Sequence, residues 1–258
     1  MFHPRTLFVL FIILLNSGCA SVQVADERDP FEGFNRAAYA FNDDLDRAIL
    51  KPLATAYHNV VPTPVNNSIS NFFSNLDDVV VLINDLLQLK FEQSLSDFGR
   101  ITFNTTFGLG GLFDVASHMD LPKHNEDFGQ TLGHWGVGSG PYLVLPFLGP
   151  STLRDGLATP VDWELDPLSN IDDNTTYWAT QALYVIDTRE GLLRASRILD
   201  TAALDPYTFM RDAYLQRRRN LVYDGNPPQS AIDEFDPFSD EFDPLADPDL
   251  PEAGESTH

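Results

Sequence analysis

The sequence predicts a mainly α-helical single domain that carries a glycine-rich insert and ends in a disordered acidic C-terminal tail. Three observations lead there. Apolar residues recur at spacings of three and four behind helix-start signals, while period-two alternation is scarce. Nine of the sixteen glycines fall between Gly108 and Gly149. Of a net charge of -22, half arises between Asp224 and His258, where eleven acids and six prolines stand without a Lys or Arg. With 258 residues, 43% of them hydrophobic, the chain can still bury one sizeable core. A lone cysteine rules out an internal disulfide framework, and the acidic balance argues against nucleic acid as a partner, because phosphodiester affinity comes largely from Lys and Arg.

The elements follow in order. Residues 1–18 read as a signal peptide: Arg5 supplies a basic start, and Leu7 to Leu15 is an apolar run of nine. That run falls well short of the roughly 20 helical residues a bilayer needs. Ser17 and Gly18 before the lone Cys19 resemble the lipobox of bacterial lipoproteins, whose cysteine is acylated, although Asn16 stands where that pattern has Leu. The other reading is an ordinary signal peptide with an incidental cysteine. Under the lipobox reading residues 19–28 are a lipidated tether, and Ala20-Ser21 in place of an Asp implies sorting to the outer membrane.

The domain spans residues 29–223. Asp29-Pro30-Phe31-Glu32 combines a capping acid, an early proline and a glutamate three residues after the cap. Phe34, Ala37, Ala38, Phe41 and Leu45 then mark one amphipathic helix, with Phe41 on the apolar stripe expected to pack against other helices and lipid. Pro52 and Pro62-Thr63-Pro64 are expected to break the chain. From Ile69 to Leu87 the stretch is apolar almost all round, interrupted by Asp77, Asp78, Asn84 and Asp85. Such charges suit an embedded or interfacial hairpin better than a membrane span. Another helix is expected around Leu95, Phe98 and Ile101; helical signals return after Pro167, and Asp205-Pro206 starts a last helix that reaches Arg217-Arg218-Arg219.

Chemistry-bearing motifs are lacking. Gly136-Val137-Gly138-Ser139-Gly140 has Trp135 before it and Pro141 after it, so it meets the context of neither a dinucleotide fingerprint nor a nucleophile elbow. Gly108-Leu109-Gly110-Gly111 lacks a P-loop lysine. His58, His118, His124 and His134 form no HExxH and no pair at helical spacing, so no metal site and no cofactor are expected. Asp77-Asp78 and Asp172-Asp173 read as solvated caps, and the three arginines as the cationic end of a helix or as a contact for an anionic headgroup or partner. The tail, 224–258, repeats Glu-Phe-Asp-Pro from Glu234 and from Glu241; it is either simply solvated or a docking strip anchored by Phe235, Phe238 and Phe242.

Taken together, several ordered motifs resemble the VacJ/MlaA family of outer-membrane lipoproteins. They are Asp29-Pro30-Phe31-Glu32-Gly33-Phe34-Asn35-Arg36, Val61-Pro62-Thr63-Pro64, Ser70-Asn71-Phe72-Phe73-Ser74-Asn75-Leu76, Asn84-Asp85-Leu86-Leu87-Gln88, Gly108 to Ala116, and Glu126-Asp127-Phe128-Gly129-Gln130-Thr131-Leu132-Gly133 through Gly156. The resemblance implies a helical, ring-like domain in the inner, periplasm-facing leaflet of the outer membrane, anchored through Cys19, with a central amphipathic channel. It further implies removal of misplaced outer-leaflet phospholipid, a periplasmic lipid-carrier protein and a trimeric porin as partners, and no catalytic residue. Candidate lipid-path residues are then Phe41, Asn84 and Asp85, with Gly136, Gly138 and Gly140 in a wall that closes the channel. A scaffolding lipoprotein without lipid transfer is the alternative, and a lipase would need an activated serine that the sequence does not offer.

Overall fold

The computed structural model describes residues 26–228. The signal peptide at 1–18, Cys19 with most of its tether, and the tail beyond residue 228 lie outside the described residues.

Helix α1 (Glu32–Leu45) runs through a π-helical turn (Asp46–Leu50) into α2 (Lys51–Val60). Helices α3 (Thr63–Leu87) and α4 (Phe91–Thr106) form a long hairpin. After an irregular segment with a short turn at Ala116–Met119 come α5 (Phe128–His134), strands β1 (Tyr142–Leu145) and β2 (Gly149–Thr152), and α6 (Leu153–Leu165). Helices α7 (Asn174–Gly191), α8 (Leu193–Ala202) and α9 (Pro206–Val222) complete the domain. α2 packs on α7, and α5 packs on both α6 and α9.

Local chemistry explains most boundaries. Pro62 is extended and α3 begins after it, with Pro64 in the first turn where its missing N–H costs nothing. Asp173 caps α7 by accepting from the Thr176 N–H at 2.7 Å, and Asp205 caps α9 by accepting from Tyr207 N–H at 3.1 Å. Pro52 does not break the chain as expected. A regular helix would drive its ring into the Ala48 carbonyl, and the wider π-helical turn just before it relieves that clash, so α1 and α2 stay joined.

Asp29 does not cap α1 either. The first helical turn has no side-chain cap, and Asp29 is buried, accepting from Asn35 Nδ2 at 2.7 Å and from the Tyr207 hydroxyl while facing Arg211. Buried donors without water hold a carboxylate more strongly than solvated helix-end amides do.

The glycine-rich insert contains the strands that the sequence pattern did not show. β1 and β2 are antiparallel, Tyr142 opposite Thr152 and Leu145 opposite Gly149, each only four residues long. A two-stranded hairpin is marginal by itself, and α1 supplies what it lacks. Asn35 donates to the Tyr142 carbonyl at 3.0 Å and accepts from Val144 N–H at 2.8 Å. Seven residues on, Asn42 donates to the Leu145 carbonyl at 3.0 Å and accepts from Phe147 N–H at 2.8 Å. Two turns of helix thus place two carboxamides along the open edge of β1. The same contact closes a small apolar cluster of Ala38, Tyr142, Val144 and Tyr207, flanked by Tyr39, Tyr214 and Leu215.

Asn35→Ala removes three hydrogen bonds and strands the Val144 N–H and the Tyr142 carbonyl. At about 1–3 kcal/mol per buried unpaired group, a loss of roughly 3 kcal/mol is expected in urea unfolding. An unchanged midpoint would show that the hairpin does not depend on the clamp.

Candidate functional site

The buried positions of this domain are mostly polar, and many of its large apolar side chains are exposed. On α4 the buried positions are Ser94, Asp97, Arg100 and Asn104, one stripe at helical spacing. Phe91, Leu95 and Phe98, on another face of the same helix, are exposed, Leu95 to 73%. Among the described residues 21 polar or charged residues are buried against ten hydrophobic ones, and 32 large hydrophobics are exposed. A water-soluble helix shows the opposite pattern. No helix among the described residues is long and apolar enough to cross a membrane.

Paired charges make this interior affordable. Asp78 is fully buried in the middle of α3, held by Arg100 at 3.4 Å and by Lys123, so Asp77-Asp78 is not a solvated cap. Arg100 reaches onward to the Leu121 carbonyl at 2.6 Å, to Ser117 and to Asp114, and Asn104 accepts from Ala116 N–H at 2.9 Å. These bonds lash the irregular segment after α4 onto the hairpin. At the other end Asn84 Oδ1 accepts from Thr131 Oγ1 at 2.8 Å, and Gln88 donates to Glu126 at 2.7 Å. Asn84 therefore joins α3 to α5. Asp85 beside it is fully buried, and no N–H or cation reaches either carboxylate oxygen. Burial, and the facing Asp97 carboxyl, push it well above the ordinary carboxylate range.

A second polar knot ties α5, α6 and α9. Arg218 donates to Asp127 and Asp155, each at 2.9 Å through Nη2, and Tyr214 donates to Asp155 at 2.9 Å. The arginine run is thus not merely a helix end, because its middle member is buried; the fold places Asp127 and Asp155 around it. Gly129 makes room for the knot: a Cβ there would stand 2.5 Å from Asp155 Oδ1. Burial raises both carboxyls, but hydrogen bonds and charge from Arg218 outweigh it and hold them below their usual range. Exposed Arg217 lines an adjacent cleft of about 280 Å³, whose wall is mixed: Leu148 and Pro150 on one hand, Asp127, Asp155 and Asp162 on the other.

The remaining sequence candidates lie apart from one another. Phe41 is 45% exposed and meets Phe147, in the turn of the β1–β2 hairpin, edge to face at 5.1 Å. Gly136 and Gly140 have positive φ, 86° and 65°, and Gly138 does not. The loop that they form is pinned at two ends. Trp135 Nε1 donates to the Leu87 carbonyl at 3.1 Å, and Arg154 N–H donates to the Ser139 carbonyl at 3.0 Å. The first bond brings the loop to the end of α3, next to Asn84 and Asp85 in sequence. Cys19 lies outside the described residues. Asp78, Arg100, Asp127, Asp155 and Arg218 were missed as a set; the only local signal was that charges fell inside apolar stretches.

Arg218→Gln leaves two carboxylates short of a cation, and breaking a buried pair costs about 3–5 kcal/mol. Both carboxyls are depressed in the folded state, so the arginine's contribution is complete above the unfolded carboxylate value and is lost as pH falls through the folded ones. The stability gap between wild type and variant should be widest near neutrality and shrink below about pH 4. Urea unfolding at a series of pH values measures it, and a gap independent of pH would assign the loss to packing alone.

The MlaA lipoprotein family model matches residues 27–221. The intermembrane phospholipid transport system lipoprotein MlaA of Escherichia coli (strain K12) is 38% identical over 237 residues, covering 84% of this chain and 90% of that protein. The protein of the same description from Haemophilus influenzae is 34% identical over 217 residues, covering 81% and 86%. A solved structure, described as the structural basis for maintenance of bacterial outer membrane lipid asymmetry, superposes with a TM-score of 0.66 at 38% identity, covering 77% of this chain and 99% of that one. A family match across nearly all the described residues, together with a solved relative of the same helical fold, shows that this chain belongs to the MlaA lipoprotein family.

Proposed function

We propose that this chain maintains outer-membrane lipid asymmetry: it takes misplaced phospholipid from the outer leaflet through an amphipathic channel in a ring-like helical domain and passes it to a periplasmic lipid-carrier protein. Acylated Cys19 anchors it in the periplasm-facing leaflet, and a trimeric porin serves as its partner in the membrane. The single observation that carries this reading is the inverted distribution of polarity, with apolar side chains such as Phe91, Leu95 and Phe98 outside and paired charges within.

The physics of lipid movement explains why that arrangement is useful. Moving a two-chain lipid through water exposes about 30 methylenes at about 0.8 kcal/mol each, on the order of 25 kcal/mol, so unaided desorption is negligible. Carrying its charged headgroup through hydrocarbon costs hydration instead. A domain whose outer surface accepts acyl chains and whose interior is lined with hydrogen-bonding groups lowers both costs. In this reading Asn84 and Asp85 back the polar side of the path, exposed Phe41 faces chains or bilayer, and the Gly136–Gly140 loop closes the wall. No general acid, nucleophile or cofactor enters such a task, and the family is one of transport lipoproteins rather than enzymes.

Two outcomes test the proposal. Gly140→Ala forces a Cβ onto a positive φ, 3.1 Å from Leu153 Cβ, and Gly136→Ala shares the φ problem in open space, whereas Gly138→Ala meets neither. Transfer of labelled phospholipid from outer-membrane vesicles to the carrier should fall severalfold for the first two, with melting temperature nearly unchanged, and stay normal for Gly138→Ala. Parallel losses of transfer and stability would reduce the loop to a structural turn, and a deletion strain with normal outer-leaflet phospholipid would favour the scaffolding alternative. Cys19→Ala should release the protein from the outer membrane or leave it unprocessed, as read by membrane fractionation; normal fractionation with full complementation counts against the anchor.

A further inference from the structure

We propose that Asp85, Asp97 and His124 form a binding site for one divalent transition-metal cation, of the Zn²⁺ class, that pins the end of α3, the middle of α4 and the segment leading into α5 to one another. One oxygen from each carboxylate and a ring nitrogen of His124 lie within 4.8 Å of one another. His124 Nδ1 is 3.0 Å from both Asp97 oxygens. That separation is an ordinary hydrogen bond, and two ligands about 2.1 Å from a tetrahedral ion are about 3.4 Å apart, so a movement of a few tenths of an ångström would seat one ion between them.

The independent sign of a missing ligand is Asp85 itself. Its side chain is fully buried, no N–H or cation reaches either oxygen, and what faces it is a second carboxyl, Asp97. A buried carboxylate without a partner is strongly disfavoured. The cations around it are committed elsewhere. Lys90 donates to Glu126 at 2.9 Å and Asp224 at 2.6 Å, Arg100 to Asp78, Asp114 and the Leu121 carbonyl, and Lys123 to Asp78 and the Ser74 carbonyl. Two carboxylates and a neutral imidazole carry a charge that a divalent ion cancels. The donor set selects the ion. Imidazole with carboxylate suits Zn²⁺ and its neighbours, whereas Mg²⁺ and Ca²⁺ sites are built from oxygen alone. No sequence spacing announces the trio, since its members come from three segments and no two share a helical turn.

The test uses the full chain in detergent, without a polyhistidine tag and stripped with EDTA, titrated calorimetrically with ZnCl₂ and melted with and without the metal. One tight equivalent and a raised melting temperature are expected for wild type. His124→Gln, which leaves both carboxylates in place, and Asp97→Asn should each weaken the tight phase at least about tenfold and abolish the thermal shift. Weak Zn²⁺ uptake by the acidic tail is common to all variants and cancels in the comparison. Should Asp97→Asn not fold, His124→Gln decides the question alone. A wild type with no saturable tight phase, or a His124→Gln protein that titrates like wild type, overturns the site and leaves Asp85 and Asp97 sharing a proton.

Discussion

A charge removed from water must find a partner, and the architecture of this domain depends on that constraint more than on a hydrophobic core. Its apolar cluster is small. What joins the helices is a set of buried and half-buried carboxylates with their donors: Asp29 with Asn35, Tyr207 and Arg211; Asp78 with Arg100 and Lys123; Asp127 and Asp155 with Arg218; Asp46 with Arg189 at 2.6 Å. Such pairs add little net stability over well-packed apolar groups, but breaking one is costly, so they specify which helix meets which. Each of these knots links elements far apart in the chain.

The constraint has a consequence at the surface. With so many polar side chains buried, large apolar ones are left outside, and the α3–α4 hairpin turns Leu86, Leu87, Leu89, Phe91, Leu95 and Phe98 outward. In water so large an apolar surface would be a liability. Beside lipid it is the favourable face, and the family's association with the outer membrane supplies that surrounding. Polar interior and apolar exterior are thus two sides of one distribution, and it is the one a path for an amphipathic cargo requires.

Much of the secondary structure was legible from short-range signals. Pro62 and Pro64 mark the start of α3, Asp173 caps α7 and Asp205 caps α9, because a cap or a proline acts within one helical turn. Periodicity found α4 but not which of its faces is buried: the rule that apolar residues turn inward presumes water outside, and here Ser94, Asp97, Arg100 and Asn104 are buried while Leu95 and Phe98 are exposed. The two four-residue strands escaped notice because they are held by Asn35 and Asn42 of α1 rather than by any pattern of their own.

The sequence by itself determined that the chain is helical, where most helices begin, and, through its ordered motifs, the family to which it belongs. Only the tertiary structure decided the fate of its charges. Asp29 looked like a helix cap and became the partner of Tyr207, 178 residues away; Asp127 looked like a loop residue and became the partner of Arg218, 91 residues away; Asp85 came to face Asp97 and His124. A helix start is settled by groups within four residues of one another, whereas the environment of a buried carboxylate is settled by whichever distant segment the fold brings against it, and one-dimensional spacing carries no record of that meeting.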